Sequence, residues 1–335
     1  MRVVLRRFLA LALVLMPIAA QADPVSLKLA YFSSDRAIGY RAVAKSFVEA
    51  VNAEGKGSVE VVLYAGGVLG RDIGKQPKVV LDGIADIAFV VPGYTPELFP
   101  DNALIELPGV FRSTREGTLV YTRLIAQNAL AGYDDFVVLG AYVTEPETIH
   151  SRLPIDSIDD LKAKRIRVNN EMEGAALRLL GATPVPMPVI GITNGLSGGT
   201  IDAAAVNRTP LVDYGIKRVA TYHYMLGTSG APLALLMNRK KFESLPGPTQ
   251  ALIRKYSGEW LAERFIATYE ASDNSVSEQL NADEHRKVVY PSKSDLERAD
   301  IAFSTVISGW VAESSRHVTL LSKLNAELTK LQDAR

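Results

Sequence analysis

Two arginines, Arg165 and Arg167, stand two residues apart in Arg165-Ile166-Arg167-Val168, just before an amphipathic stretch that starts near Asn170. Alternate side chains of a strand face opposite sides. Ile166 and Val168 are therefore expected in a core, with both guanidinium groups on the other face. Arg167 lies nearer the C-terminal end of the run, the edge at which open α/β sheets form their ligand crevice. A planar guanidinium can meet a carboxylate with two parallel hydrogen bonds. Arg167 is thus a candidate anion-binding residue. The plainer reading is a surface arginine paired with a neighbouring Asp or Glu.

Other patterns carry less. Gly195-Leu196-Ser197-Gly198-Gly199 has the G-x-S-x-G spacing of serine hydrolases, whose chemistry needs strand, sharp turn and helix in that order. Here a helical pattern precedes Ser197 and a strand-like run follows. The glycines read as a helix end and a turn, and no catalytic residue is assigned; an exported hydrolase using Ser197 is the alternative to a binding role. His150, His223, His285 and His317 are scattered and match no metal-ligand spacing. The chain has no cysteine, which excludes thiol catalysis, disulfides, iron–sulfur clusters and Cys-type zinc sites. No metal or cofactor is expected. Phe89–Pro100 puts Tyr94 on a proline-stiffened loop directly after a strand-like run. There the ring can stack on a ligand and the hydroxyl can bond it, although a packed loop anchor fits equally. Ala141–His150 is a second such place, where the chain leaves its first half.

These residues need elements to hold them. The chain has 335 residues with 47% hydrophobic and 22% charged content, ordinary for two medium domains. After an N-terminal segment, strand-like and helix-like runs alternate: VSLKLAYF, a helix ending at Gly55, SVEVVLYAG, a helix in GKQPKVVLDGIA, then DIAFVVPG. A β-α-β-α-β order argues for an α/β lobe with a partly parallel sheet. The order resumes with DFVVLGAYVT, RIRV, EMEGAALRLLGA and TIDAAAV, so a second similar lobe is expected. Asp156 or Ser157 caps the turn before RIRV, and Asn170 with Glu173 has capping-box spacing. Pro246–Asp283 reads as one long helical stretch.

The first 22 residues have a basic start (MRVVLRR), an apolar run (FLALALVLMPIAA) and small residues at Ala20-Gln21-Ala22. That is the layout of a secretory signal peptide, and the run is short for a membrane span. Without Arg2, Arg6 and Arg7, 34 basic residues face 37 acidic ones. No basic excess points to nucleic acid.

The pieces together resemble the solute-binding proteins of tripartite ATP-independent periplasmic (TRAP) transporters, the DctP-type family. Gly66–Gly70, VVLDGIADIAFVVPGYTPELFP, ELPGVF, IDDLKAKRIRV, LGATPVPMP, GGTIDAAAV and MNRKKFESLP follow in the family's order over nearly all of the chain after the export segment. Ala163 stands where the family usually has Gly. The resemblance implies a two-lobe, type II-like periplasmic binding fold with a hinge and a long helix crossing both lobes. The implied division is 23–146 plus about 234–272, against 147–233 plus about 273–335. It implies a periplasmic, monomeric receptor that captures a small organic acid and hands it to a TRAP membrane permease; a sensor with the same fold would read alike. On this resemblance Arg167 is the carboxylate-binding arginine. Asn207 or Arg208 is a second polar contact, and Tyr94 faces the cleft. The strand leaving the first lobe lacks the second arginine of some members and offers Tyr142 and Thr144 instead. Tyr31, at the end of the first strand, and Phe111, in ELPGVF, complete the expected ligand-binding set.

Overall fold

In the computed structural model the described residues are 24–333, and the expected export segment, residues 1–22, lies outside them. The apolar runs form strands β1 (Val25–Ala30), β2 (Val59–Tyr64), β3 (Ile87–Val90), β4 (Phe136–Pro146), β5 (Thr148–Ser151), β6 (Arg165–Val168), β7 (Thr183–Pro186), β8 (Ala203–Val206), β9 (Tyr222–Tyr224), β10 (Gly230–Asn238) and β11 (Lys287–Val289). The helices are α1 (Ser46–Glu54), α2 (Gln76–Leu81), α3 (Thr114–Ala126), α4 (Glu171–Leu179), α5 (Ile192–Gly198), α6 (Thr209–Asp213), α7 (Arg239–Glu243), α8 (Gly247–Lys255), α9 (Glu259–Ala282), α10 (Lys293–Glu313) and α11 (Ser315–Asp333). None of them is long and apolar enough to cross a membrane.

The strands make two sheets, in the orders β2-β1-β3-β10-β4 and β11-β9-β5-β8-β6-β7. Each holds parallel pairs, β1 with β2 and β3, and β6 with β7 and β8, plus antiparallel strands that bring the chain back. This is the two-lobe α/β fold. The chain leaves the first lobe where β4 gives way to β5 and returns between β9 and β10. The two crossing segments are stitched together: Glu147 N donates to Ser229 O at 2.8 Å and Thr228 N to Glu147 O at 2.9 Å.

A third connection is α9. Its Leu261, Phe265 and Tyr269 recur at helical spacing and pack into the core of the first lobe, while Val276 and Leu280 pack into that of the second. Phe265 is stacked between Tyr142 and Tyr269, with ring centroids 4.7 and 4.0 Å away. The long helical stretch expected over Pro246–Asp283 is interrupted at Gly258, which has φ 61° and donates its N–H to Leu139 O at 2.7 Å. That φ favours glycine, and the residue stands between the end of α8 at Lys255 and the start of α9 at Glu259. The C-terminal residues also depart from the expected division. α10 packs Ala299, Ala302 and Phe303 on the second lobe, but Leu320 and Leu324 of α11 bury against the first lobe with Val120 and Leu124 of α3.

Ala163 adopts φ 60°. An L-residue with a Cβ pays about 1–2 kcal/mol there, and Gly does not. Replacing Ala163 with Gly is expected to stabilise the protein by about 0.5–1 kcal/mol in urea unfolding, after the extra chain entropy of Gly is deducted. An unchanged or lowered midpoint contradicts this.

Candidate functional site

β6 lies between β8 and β7, and that placement explains Arg167. The side chain is 1% exposed. Nη1 donates to Ala205 O of β8 at 2.7 Å, and Nε to Met187 O just after β7 at 2.8 Å. Carbonyls on both sides thus orient the guanidinium. Nη2 points onward, donating to Asn169 Oδ1 and to Tyr94 Oη, each at 3.0 Å. Tyr94 belongs to the first lobe, in the turn Pro92–Tyr94 after β3. Its oxygen also accepts from Val189 N of the second lobe at 3.1 Å. Both acceptor positions of the hydroxyl are then used, leaving its hydrogen to donate. Arg165 has the plainer fate: it is exposed and pairs with Asp202 at 2.7 Å.

Arg167, Tyr94, Thr144, Asn207 and Tyr31 line one cavity of about 70 Å³ between the lobes. Phe32, Phe89, Val91 and Leu233 make much of the rest of its wall apolar. Asn207 follows β8 and is buried, and its Nδ2 has no partner. Three of the expected residues lie elsewhere. Arg208 turns away to clasp Glu145 with Nε, at 2.7 Å, and with Nη2, and its Nη1 meets Ser277 of α9. Tyr142 sits two residues before Thr144 on β4, under Phe265 of α9. Phe111 packs in the core on the opposite face of the first sheet. The two parallel bonds expected from Arg167 also meet an obstacle, because its N–H groups already have protein partners. A carboxylate would engage the Nη2 corner by displacing Asn169 or Tyr94.

Ser197 is exposed near the end of α5, which Gly199 caps at φ 70°; the strand–turn–helix elbow of a hydrolase is absent from this segment. Two of the scattered histidines do meet. His150 and His223 are cross-strand neighbours on β5 and β9, with Nδ1 atoms 2.8 Å apart, and burial lowers both their pKa values.

Sequence reasoning missed the acids behind Arg167. Glu106, Glu147 and Glu173 are 5%, 2% and 0% exposed. Glu147 Oε2 lies 3.6 Å from Arg167 Nη1. Glu173 accepts from Asn169 N at 2.9 Å, and its other oxygen lies 2.5 Å from Thr228 Oγ1 on the returning crossing segment. Burial opposes the charge of Arg167, but Tyr94, Glu147 and Glu173 hold its pKa above the ordinary value. Burial, followed by the charge of Glu173, pushes Glu147 well up and Glu106 up to about 8. A Cβ on Gly93 would fall 2.0 Å from Glu106 Oε1, so glycine lets the Tyr94 turn rest on this carboxyl. Asn169 had a signal: it stands two residues beyond Arg167, on the same strand face. Glu147 joins the site through a long-range contact that no local pattern announces, and Glu173, legible only as a helix-start residue, joins it through Asn169 N and the distant Thr228.

A model of the family described as bacterial extracellular solute-binding protein, family 7, matches residues 29–313. The chain belongs to this family. It is 27% identical over 217 residues to the 2,3-diketo-L-gulonate-binding periplasmic protein YiaO of Escherichia coli K12, covering 63% of this chain and 65% of that protein. A Salmonella typhimurium protein, YiiZ, is 28% identical over 207 residues, 59% of this chain and 62% of its own. The match therefore spans just under two thirds of the length of these curated relatives. Among solved structures, a marine metagenome TRAP solute-binding protein specific for aromatic acid ligands, in complex with 3-hydroxybenzoate, superposes with TM-score 0.84 at 25% identity, over 92% of this chain and 99% of that one. A TRAP solute-binding protein of Pseudomonas putida F1 with bound D-glucuronate shares the fold, with TM-score 0.76 at 20% identity over 90% and 97% of the two chains. The resemblance seen in the ordered motifs is thus to the family found. It is a family of solute-binding proteins, not of enzymes.

The buried acids give a test. The native state holds a proton on Glu106 up to about pH 8, whereas an unfolded Glu loses it near pH 4.3. Unfolding is accordingly favoured as pH rises through that window, and stability is lost. Glu106→Gln does not titrate. Its stability relative to wild type is expected to rise by on the order of 3 kcal/mol from pH 5 to pH 8 in urea unfolding. A difference that stays constant with pH contradicts a neutral Glu106.

Proposed function

We propose that this protein is an extracytoplasmic receptor that takes a small organic acid into the cleft between its lobes, closes on it by hinge motion, and delivers it to a TRAP-type membrane permease. On this reading residues 1–22 direct export to the periplasm, and the receptor works as a monomer. The observation that carries it is the buried guanidinium of Arg167, reaching Tyr94 across the cleft from the second lobe to the first. Membership of the solute-binding family supports it, as do the carboxylate ligands named for its relatives.

The physics is differential contact. A ligand shifts an open–closed equilibrium only through interactions that differ between the states. An acid touching Nη2 of Arg167 together with Tyr94 makes such contacts, because the two residues belong to different lobes. Charge-assisted hydrogen bonds contribute roughly 1.5–3 kcal/mol each, a large share of the ~8 kcal/mol of micromolar affinity. The apolar wall favours an acid whose body is a ring or hydrocarbon, a class shared with the aromatic-acid-specific relative.

The experiment is a thermal-shift panel of benzoates, mandelate, pyroglutamate and D-glucuronate on wild type and Arg167→Lys, followed by calorimetry on the hits. Lys keeps a cation beside Glu147 but loses the planar fork. Wild type is expected to bind at least one acid, and Arg167→Lys to bind it at least tenfold more weakly while keeping its far-UV circular dichroism. Equal affinity in the folded variant removes Arg167 from the site. Failure of every acid removes the receptor reading.

A further inference from the structure

The cavity has a second polar group besides that of Arg167. Asp213, the last residue of α6, lines it, and Oδ2 accepts from Ile38 N of the first lobe at 2.9 Å. Its other carboxylate oxygen has no hydrogen bond among the described residues. Tyr31, Tyr214 and Tyr269 also line the cavity, and each has its pKa raised first by burial and further by the charge of Asp213. The hydroxyls of Tyr31 and Tyr269 converge over Gly39, lying 2.8 and 3.2 Å from where its Cβ would be. The two groups have different hydrogen-bond partners: Arg167 Nη2 donates to Tyr94 and Asn169, whereas Asp213 Oδ2 accepts from Ile38 N. The cavity therefore offers a cation and, apart from it, a carboxylate among phenols.

Resting on the receptor reading above, we propose that Asp213, with the phenols of Tyr31 and Tyr269, is the specificity determinant for the far end of the ligand: it selects acids that carry a hydrogen-bond donor, such as a ring hydroxyl, away from their carboxylate, and rejects acids with a second carboxylate there. A hydroxyl donated to an ionised acceptor strengthens binding about tenfold to a hundredfold over the analogue that lacks it. A second carboxylate facing Asp213 meets a like charge and has no donor to offer its carboxylate, whereas the hydroxyl does.

The test is calorimetry of benzoate, 3-hydroxybenzoate, 4-hydroxybenzoate, isophthalate and terephthalate on wild type and Asp213→Asn. Asn keeps an oxygen for Ile38 N but loses the charge. In wild type, at least one hydroxybenzoate is expected to bind about tenfold or more tighter than benzoate, and both dicarboxylates more weakly than benzoate. In Asp213→Asn the hydroxybenzoate-to-benzoate ratio is expected to fall toward one, and the dicarboxylates to gain relative to benzoate. If Asp213 only latches the lobes, the substitution scales all five affinities alike and leaves the ratios in place; that result overturns the proposal and leaves the acid-receptor reading standing. Failure of all five, with another acid of the wider panel binding, also overturns this proposal alone. Failure of every acid in both panels overturns both.

Discussion

Everything at the cleft depends on how one guanidinium is taken out of water. Isolated, a buried cation is costly. Arg167 avoids that cost because β6 is flanked on both sides, so that carbonyls of Ala205 and Met187 accept from it while Nη2 projects past the strand end. The sheet order therefore sets the direction of the charge. What it meets there, the hydroxyl of Tyr94, comes from the other lobe. A single side chain thus links the core packing of one lobe to the relative position of the two.

The acids behind it extend that link to the two crossing segments. Glu147 lies on one crossing segment, and Glu173 meets Thr228 on the other. Burial, followed by the charge of Glu173, favours the protonated form of Glu106 and of Glu147. Glu106 adds a mechanical part by supporting the turn that carries Tyr94, against a glycine with no Cβ to block it.

Much of this was legible in the sequence where the cause is local. The end of a short strand placed Arg167 at a crevice, and Asn170 does cap α4 by accepting from Glu173 N at 2.8 Å. The two lobes followed from the order of apolar runs. Burial inverted one detail: Arg165, not Arg167, took the surface pairing that fits either residue by pattern. That Asn207 and not Arg208 lines the cavity depends on Glu145, which holds Arg208 from a distant part of the chain. Tyr142 does not line the cavity because Phe265 of α9 stacks on it, a fact of tertiary packing. Asp213 had no local signal at all; it reaches the cavity because α6 ends beside Ile38. The break at Gly258 was missed because an isolated glycine inside a helical pattern is often tolerated.

The most direct measurement is a crystal structure of the protein with an organic acid that it binds in solution. The account predicts the acid between the lobes, with a carboxylate oxygen within hydrogen-bond distance of Arg167 Nη2 and of the Tyr94 hydroxyl, while Ala205 O and Met187 O keep their bonds to the guanidinium. An acid bound elsewhere, with Arg167 and Tyr94 still joined as they are here, would contradict it.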